Sequence, residues 1–249
     1  MQIFKVIIPV RYSSSRLPGK ALIDIAGKPM VQHVYERALK SGATSVVIAT
    51  DDKRIYLAAE KFGAKACMTS EKHQSGSDRL AEAIDILGYS DNEIIVNVQG
   101  DEPLIEPKII AQVALDLAQH QADVATVCEP LQTAQQLFDP NVVKVVRDAQ
   151  GFALYFSRAP IPYDRDNFAL ADTMPINVGY YHHIGLYAAR VNFWRKYVAW
   201  QPCVLEKIEH LEQLRVLWHG GKIFVGVSNY PSVIGVDTPE DLEKVRKML

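Results

Sequence analysis

The sequence predicts an α/β fold: a mostly parallel sheet covered by helices on both faces, with a β-rich extension in the second half. Three observations lead there. Short, uniformly apolar runs alternate with amphipathic helical patterns through the first half of the chain. Such runs mark strands buried on both faces, which parallel sheets require. A change of texture follows, in which two apolar runs flank a tight polar turn. The length, 249 residues, suffices to bury a full core.

Taken in order, Lys5–Val10 reads as the first buried strand. Pro29–Ser41 reads as a helix, with Pro29 in its first turn, apolar side chains at Met30, Val31, Val34, Ala38 and Leu39, and Gly42 as the stop. Strand Ser45–Thr50, helix Asp52–Phe62 (stopped by Gly63), a strand near Lys65–Thr69 and helix Ser77–Leu87, with Ser77 as its cap, come next. Strand Glu93–Val98 and helix Pro107–His120 complete the first half. Val142–Arg147 and Phe152–Ser157 flank Asp148-Ala149-Gln150-Gly151 as a hairpin, and a loop-like stretch precedes strand His183–Ala189. Leu205–Trp218 reads as one helix ending at Gly220. Strand Ile223–Val227 and a helix opened by Thr238-Pro239-Glu240-Asp241 close the chain. Neither an internal repeat nor a linker divides it, so residues 1–249 are expected to form one domain.

Composition excludes several classes. Charged residues make up 22% with no low-complexity block, which rules out wholesale disorder. Lys and Arg total 27 against 29 Asp and Glu, a balance unsuited to coating nucleic acid. An anionic ligand must then be met by a local cluster of cations. The three cysteines, Cys67, Cys128 and Cys203, form no CxxC pair and suggest neither zinc nor a disulfide framework. They read as buried thiols in a reducing compartment. No apolar run approaches a membrane span, and no signal peptide precedes the first strand, so a cytoplasmic protein is expected.

The loop after the first strand carries the densest chemistry: Arg11, Arg16 and Lys20 with Ser13, Ser14, Ser15 and Gly19. Ligands of parallel sheets bind where the strands end. Amides and hydroxyls there can cradle phosphate oxygens while the cations neutralise them. The loop is neither a Walker A sequence nor GxGxxG. Asp101, in Asn97-Val98-Gln99-Gly100-Asp101-Glu102-Pro103, lies just past a buried strand, and Asp237 repeats that grammar before Thr238-Pro239. Either Asp237 is part of an ordinary helix start, or the two carboxylates pair to hold Mg²⁺, which takes few protein oxygens and completes its shell with water and phosphate. Ser75 and Gly76 can meet a base edge or phosphate at a helix N-terminus. His182 and His183 are adjacent on a strand, face opposite ways and so make no two-His metal site. Glu206, Glu209 and Glu212 at helical spacing read as a solvated face, with Gln213 free to turn inward.

At these residues the sequence resembles the 3-deoxy-manno-octulosonate cytidylyltransferase (CMP-Kdo synthetase) family. The likeness runs from Ile8–Lys20 through Ala49-Thr50-Asp51, His73-Gln74-Ser75-Gly76, Asn97–Pro103, Leu154–Arg158, His183-Ile184-Gly185 and Leu211–Arg215 to Gly235–Thr238. Departures are Val10 in place of Ala, Ala21 in place of Pro, Ser77-Asp78 in place of Thr-Glu, and His182 in place of Arg. The resemblance implies a three-layer, nucleotide-diphospho-sugar-transferase-like (Rossmann-like) α/β fold, with a dimerisation extension at about residues 130–200 and a homodimer. It also implies Mg²⁺ dependence and the reaction of CTP with Kdo to give CMP-Kdo and diphosphate, for lipopolysaccharide, with no nucleic-acid partner and no membrane insertion. Carried over by residue, Pro9, Val10, Arg11, Ser15, Arg16, Lys20, Ser75, Gly76, Arg79 and Gln99 bind the nucleotide. Gln99, Arg158, Arg165, His183, Tyr187, Glu212 and Gln213 bind the sugar. Asp101 and Asp237 hold the metal and, with Lys20 and Arg16, form the catalytic set. Activation of a related acid sugar (8-amino-Kdo or a sialic acid), a capsule-dedicated version of the same enzyme, and a non-catalytic nucleotide-binding module are the alternatives.

Overall fold

The computed structural model describes residues 2–13, 17–73, 75–176, 179–230 and 235–249. Ser15 and Arg16, expected in the phosphate loop, lie outside the described residues. The chain runs β1 (Lys5–Val10), a 3-10 turn at Lys20–Leu22, β2 (Asp24–Ile25), β3 (Lys28–Pro29), α1 (Met30–Leu39), β4 (Ser45–Thr50), α2 (Lys53–Lys61), β5 (Lys65–Met68) and α3 (Gly76–Ile86). It continues with β6 (Ile94–Asn97), α4 (Pro107–Gln119), β7 (Val124–Pro130), α5 (Ala134–Phe138), β8 (Lys144–Arg147) and β9 (Ala153–Ser157). After a 3-10 segment at Phe168–Thr173 come β10 (Tyr181–Arg190), α6 (Val191–Ala199), α7 (Val204–Glu209), α8 (Gln213–Trp218), β11 (Ile223–Val227) and α9 (Pro239–Arg246).

The main sheet has the order β11-β7-β10-β6-β1-β4-β5. Every neighbouring pair on this path is parallel except those made by β10, which runs against both β6 and β7. The expected mostly parallel sheet is therefore present. β8 pairs with β10 and β9 off this path, so the β-rich extension is rooted on the reversed strand. A smaller core of Leu131, Ala134, Leu137, Met174 and Tyr180 fills the space beneath it.

Alternation along each strand divides the main core into two halves. From β1, Val6, Ile8 and Val10 pack with α1, α2 and α4, whereas Ile7 packs with α3, α6 and α8 on the other face. These strands are apolar throughout because both faces are covered. The three cysteines are buried and free, as expected.

Two local expectations need correction. α3 is capped by Ser75, whose hydroxyl accepts the Asp78 amide at 3.1 Å; Ser77 lies inside the helix. Ser75 has the extended backbone that a cap needs, and Gly76 is already helical. The helix expected over Leu205–Trp218 is two, α7 and α8, because His210 takes the left-handed conformation at φ 51°. The break also alters the glutamates read as a solvated face. Glu206 turns inward onto Arg215, at 2.8 and 2.5 Å, and Glu209 accepts Ser157 Oγ at 2.6 Å and the Arg158 amide at 2.9 Å. Glu212, although open to solvent, turns toward α3.

Candidate active site

A cleft of about 300 Å³ opens at the carboxyl ends of β1 and β6. β1 and the loop after it supply Pro9, Val10, Arg11 and Ser13; the 3-10 turn supplies Lys20; the start of α3 supplies Ser75, Gly76 and Arg79. The loop after β6 gives Gln99, Gly100 and Asp101, and Glu212 and Asp237 come from much later in the chain. A parallel sheet places such a crevice where its strand order turns outward from the first strand.

Close approach of these loops depends on two glycines. A Cβ on Gly100 would lie 2.7 Å from Val10 Cγ2 and 3.3 Å from the Pro9 carbonyl. Gly19, at φ +70°, sits over the Tyr12 ring and donates its amide to the Tyr12 carbonyl at 3.0 Å. It thereby delivers Lys20 to the cleft, in a conformation that side-chain-bearing residues resist. Lys20 Nζ lies 2.7 Å from Asp101 Oδ2 and 3.2 Å from Asp237 Oδ1. The two carboxylates thus converge on one cation, although more than half the chain separates them.

Cations and carboxylates alternate around the cleft. Arg11 and Lys20 stand at the β1 side. Arg79, almost fully buried, is fixed by Asp51 at 2.5 Å and Thr69 Oγ1 at 2.6 Å. His73 also lines the cleft and was not among the expected site residues; its Nε2 is 2.6 Å from Glu82 Oε2. The motif around Ser75 and Gly76 held the signal, but a lone histidine in a loop does not reveal that a carboxylate one helical stretch later orients it. Ser13, one of the hydroxyls expected to cradle phosphate, lines the cleft, and so does Gly100, expected only as a turn before Asp101.

The residues expected to bind sugar are dispersed. Gln99 and Glu212 face the main cleft. Tyr187 and Gln213, again with Glu212, line a small cavity of about 30 Å³ walled by Phe193, Trp194 and Tyr197. His183 lines a separate cleft of about 190 Å³ with Glu102 and Gly235. Arg158 lines none of the three and donates to the Glu209 and Pro140 carbonyls, at 2.7 and 2.9 Å. Arg165 is exposed in the extension, also away from them.

His183 is neutral, because burial pulls its imidazole down to about 3. Its tautomer follows from its neighbours. The Thr126 hydroxyl, 2.7 Å from the Leu186 carbonyl, gives its proton there, so it accepts from His183 Nε2 at 2.9 Å. Nδ1 is then left as the acceptor that faces the Gln213 amide at 3.5 Å.

Among the described residues no group of three or more His, Cys, Asp or Glu is arranged around a metal. Asp101 and Asp237 bring two carboxylates together, and Lys20 marks the point between them where positive charge is stabilised. Two carboxylates at the mouth of a cation-lined cleft fit Mg²⁺, whose remaining positions are ordinarily filled by water and substrate phosphate.

A family model described as Cytidylyltransferase matches residues 5–223. The 3-deoxy-manno-octulosonate cytidylyltransferase of Aliivibrio fischeri (strain MJ11) is 58% identical over 246 residues, covering 99% of this chain and 98% of that protein. The enzyme of the same name from Coxiella burnetii (strain Dugway 5J108-111) is 56% identical over 244 residues, 98% of each chain. A solved CMP:2-keto-3-deoxy-manno-octonic acid synthetase complexed with CTP is 42% identical and superposes with a TM-score of 0.89, over 100% of this chain and 98% of that one. A glucose-1-phosphate thymidylyltransferase from Bacillus anthracis, 14% identical with a TM-score of 0.67 over 98% of this chain and 94% of that one, shares the fold.

Proposed function

The chain belongs to the 3-deoxy-manno-octulosonate cytidylyltransferase family, and from that premise we propose that its cleft joins CTP and Kdo into CMP-Kdo with release of diphosphate. The observation that carries the reading is the meeting of Lys20, Asp101 and Asp237 at the mouth of a cleft that also presents Arg11, Ser75, Gly76 and Arg79. That arrangement suits a triphosphate at one side and a second, polyhydroxylated substrate at the other.

In the proposed reaction the anomeric hydroxyl of the sugar attacks the α-phosphorus of CTP in line. The new P–O bond forms as the hydroxyl loses its proton to water, and the bridging P–O bond between the α- and β-phosphates breaks, its electron pair leaving with the diphosphate. Such chemistry rests on positioning and charge neutralisation rather than on a covalent intermediate. Lys20, Arg11 and Arg16 offset charge on the departing diphosphate. Ser75, Gly76 and Arg79, with Pro9 and Val10, enclose the nucleoside, and Gln99 lies between nucleotide and sugar. Asp101 and Asp237 would hold Mg²⁺, which supplies Lewis-acid shielding of the phosphate oxygens. Arg158, Arg165, His183, Tyr187, Glu212 and Gln213 are the proposed sugar side, of which Glu212 borders the main cleft.

We read the protein as a cytoplasmic homodimer that serves lipopolysaccharide assembly. Exposed apolar side chains on β9 and α7, Leu154, Val204 and Ile208, support a partner surface on the extension side. The three free thiols suit a reducing compartment. Among the described residues no helix is long and apolar enough to cross a membrane. The deciding experiment measures diphosphate release from CTP with Kdo, 8-amino-Kdo or a sialic acid, with and without Mg²⁺. Release with Kdo, dependent on Mg²⁺, is expected; no release with any of the acids overturns the reading.

A further inference from the structure

Ser77 lies in the first turn of α3, next to Gly76 and two residues before Arg79, both of which wall the main cleft. Its own side chain faces the other way, into the small aromatic cavity, and is buried. There its hydroxyl donates to Glu212 Oε2 at 2.7 Å. Glu212 borders both cavities and forms the partition between them. Arg215, the nearby cation, is already committed to Glu206 by two hydrogen bonds, so among the described residues Ser77 is the side chain that donates to the Glu212 carboxylate.

We propose that Ser77 is a positioning residue for the sugar half of the reaction: its hydroxyl fixes the Glu212 carboxyl group at the partition between the two cavities. A carboxylate held there accepts hydrogen bonds from the hydroxyls of a bound polyol. Because Ser77 belongs to the same helical turn that meets the nucleotide, seating CTP and aiming Glu212 become one event. The inference rests on the cytidylyl-transfer reading above.

The other charged and titratable groups around Glu212 are Asp78 on α3, Glu206 on α7, Arg215 on α8, Tyr197 on α6 and Tyr187 on β10. Crowding by the surrounding protein raises the Glu212 carboxyl, while Ser77 and Arg215 pull it down. Removing a donor to the charged form must raise it further.

The test uses Ser77→Ala and Ser77→Thr in the full chain, first without substrates. In ¹³C NMR, with the Glu212 resonance assigned by its loss in Glu212→Gln, Ser77→Ala is expected to raise the Glu212 carboxyl pKa by about one unit, whereas Ser77→Thr, which keeps the hydroxyl, restores it. In turnover assays the KM for Kdo rises roughly tenfold in Ser77→Ala, as for loss of a single interaction, with the KM for CTP within about twofold. The acid limb of kcat/KM for the sugar then shifts to higher pH. An unmoved Glu212 pKa, or equal rises in both KM values, overturns the proposal. Should the wild-type enzyme release no diphosphate, the functional reading fails, whereas the NMR measurement still decides whether Ser77 controls Glu212. If Ser77→Ala does not fold, Ser77→Cys, a weaker donor of similar size, takes its place in both measurements.

Discussion

The Asp101 carbonyl accepts the Val236 amide at 2.8 Å, which ties the loop after β6 to the segment before α9 by backbone alone. The backbone that carries Asp101 and Asp237 is thus tied together by its own main chain, and Lys20 joins the two carboxylates. Asp237→Asn therefore keeps the loop in place and removes charge only. Turnover at saturating Mg²⁺ is expected to fall at least about 100-fold, the scale of losing one group that stabilises transition-state charge. Retention of full turnover would take Asp237 out of the metal site.

Gly100→Ala places a methyl carbon against Val10 Cγ2. The variant is expected to lose affinity for CTP, because the end of β1 must shift away from the loop that carries Asp101. Adding Val10→Ala removes the clashing methyl, and the double variant should recover most of the binding, as read by CTP titration calorimetry. A single variant that binds CTP like the wild type refutes the steric account.

Glu206 and Arg215 form a buried, two-pronged ion pair between α7 and α8. Glu206→Gln leaves the guanidinium without its counter-charge, which typically costs about 3–5 kcal/mol. At roughly 2–4 °C per kcal/mol for a chain of this size, the melting temperature should drop by about 10 °C. A drop below about 2 °C in a thermal melt means the pair is solvated in solution.

His183 gives a signed pH effect. Its imidazole is depressed from 6.5 to about 3 in the folded protein. The unfolded chain therefore binds the extra proton first, and stability is lost as pH falls from about 6.5 toward 3. Within that window the slope from this one group is up to about 1.4 kcal/mol per pH unit. His183→Gln removes the term, so urea-denaturation midpoints at pH 4 and pH 7 should differ less than in the wild type. An unchanged difference means that His183 titrates near its ordinary value.

Much of the sheet was legible because its strands are apolar without interruption, and several helices ended at glycines where expected. β7 and α6 were not anticipated: Val124–Pro130 follows α4 after only four residues, and Val191–Ala199 continues directly from β10, so no turn residues announce either. The break at His210 was hidden because apolar spacing continues across it, and the modest preference of histidine for a left-handed backbone is too weak a signal against that spacing. Among candidate site residues, those next to strand ends in motifs were brought into one cleft. The sugar set was not, since Tyr187, Gln213 and His183 depend on how β10 and α8 pack, a long-range matter that local pattern does not encode.

The reversal of β10 decides where the extension meets the sheet. Its neighbours leave the sheet at the edge where the cleft opens, but β10 enters there, with Tyr181 paired to Pro130 and Tyr187 to Asn97. The chain ahead of β10 therefore enters at the end of the sheet where β6 and β7 finish, beside the separate cleft that His182 and His183 line. One reversed strand thus brings the extension to the cleft end of the sheet while β6, β1, β4 and β5 stay parallel and uninterrupted.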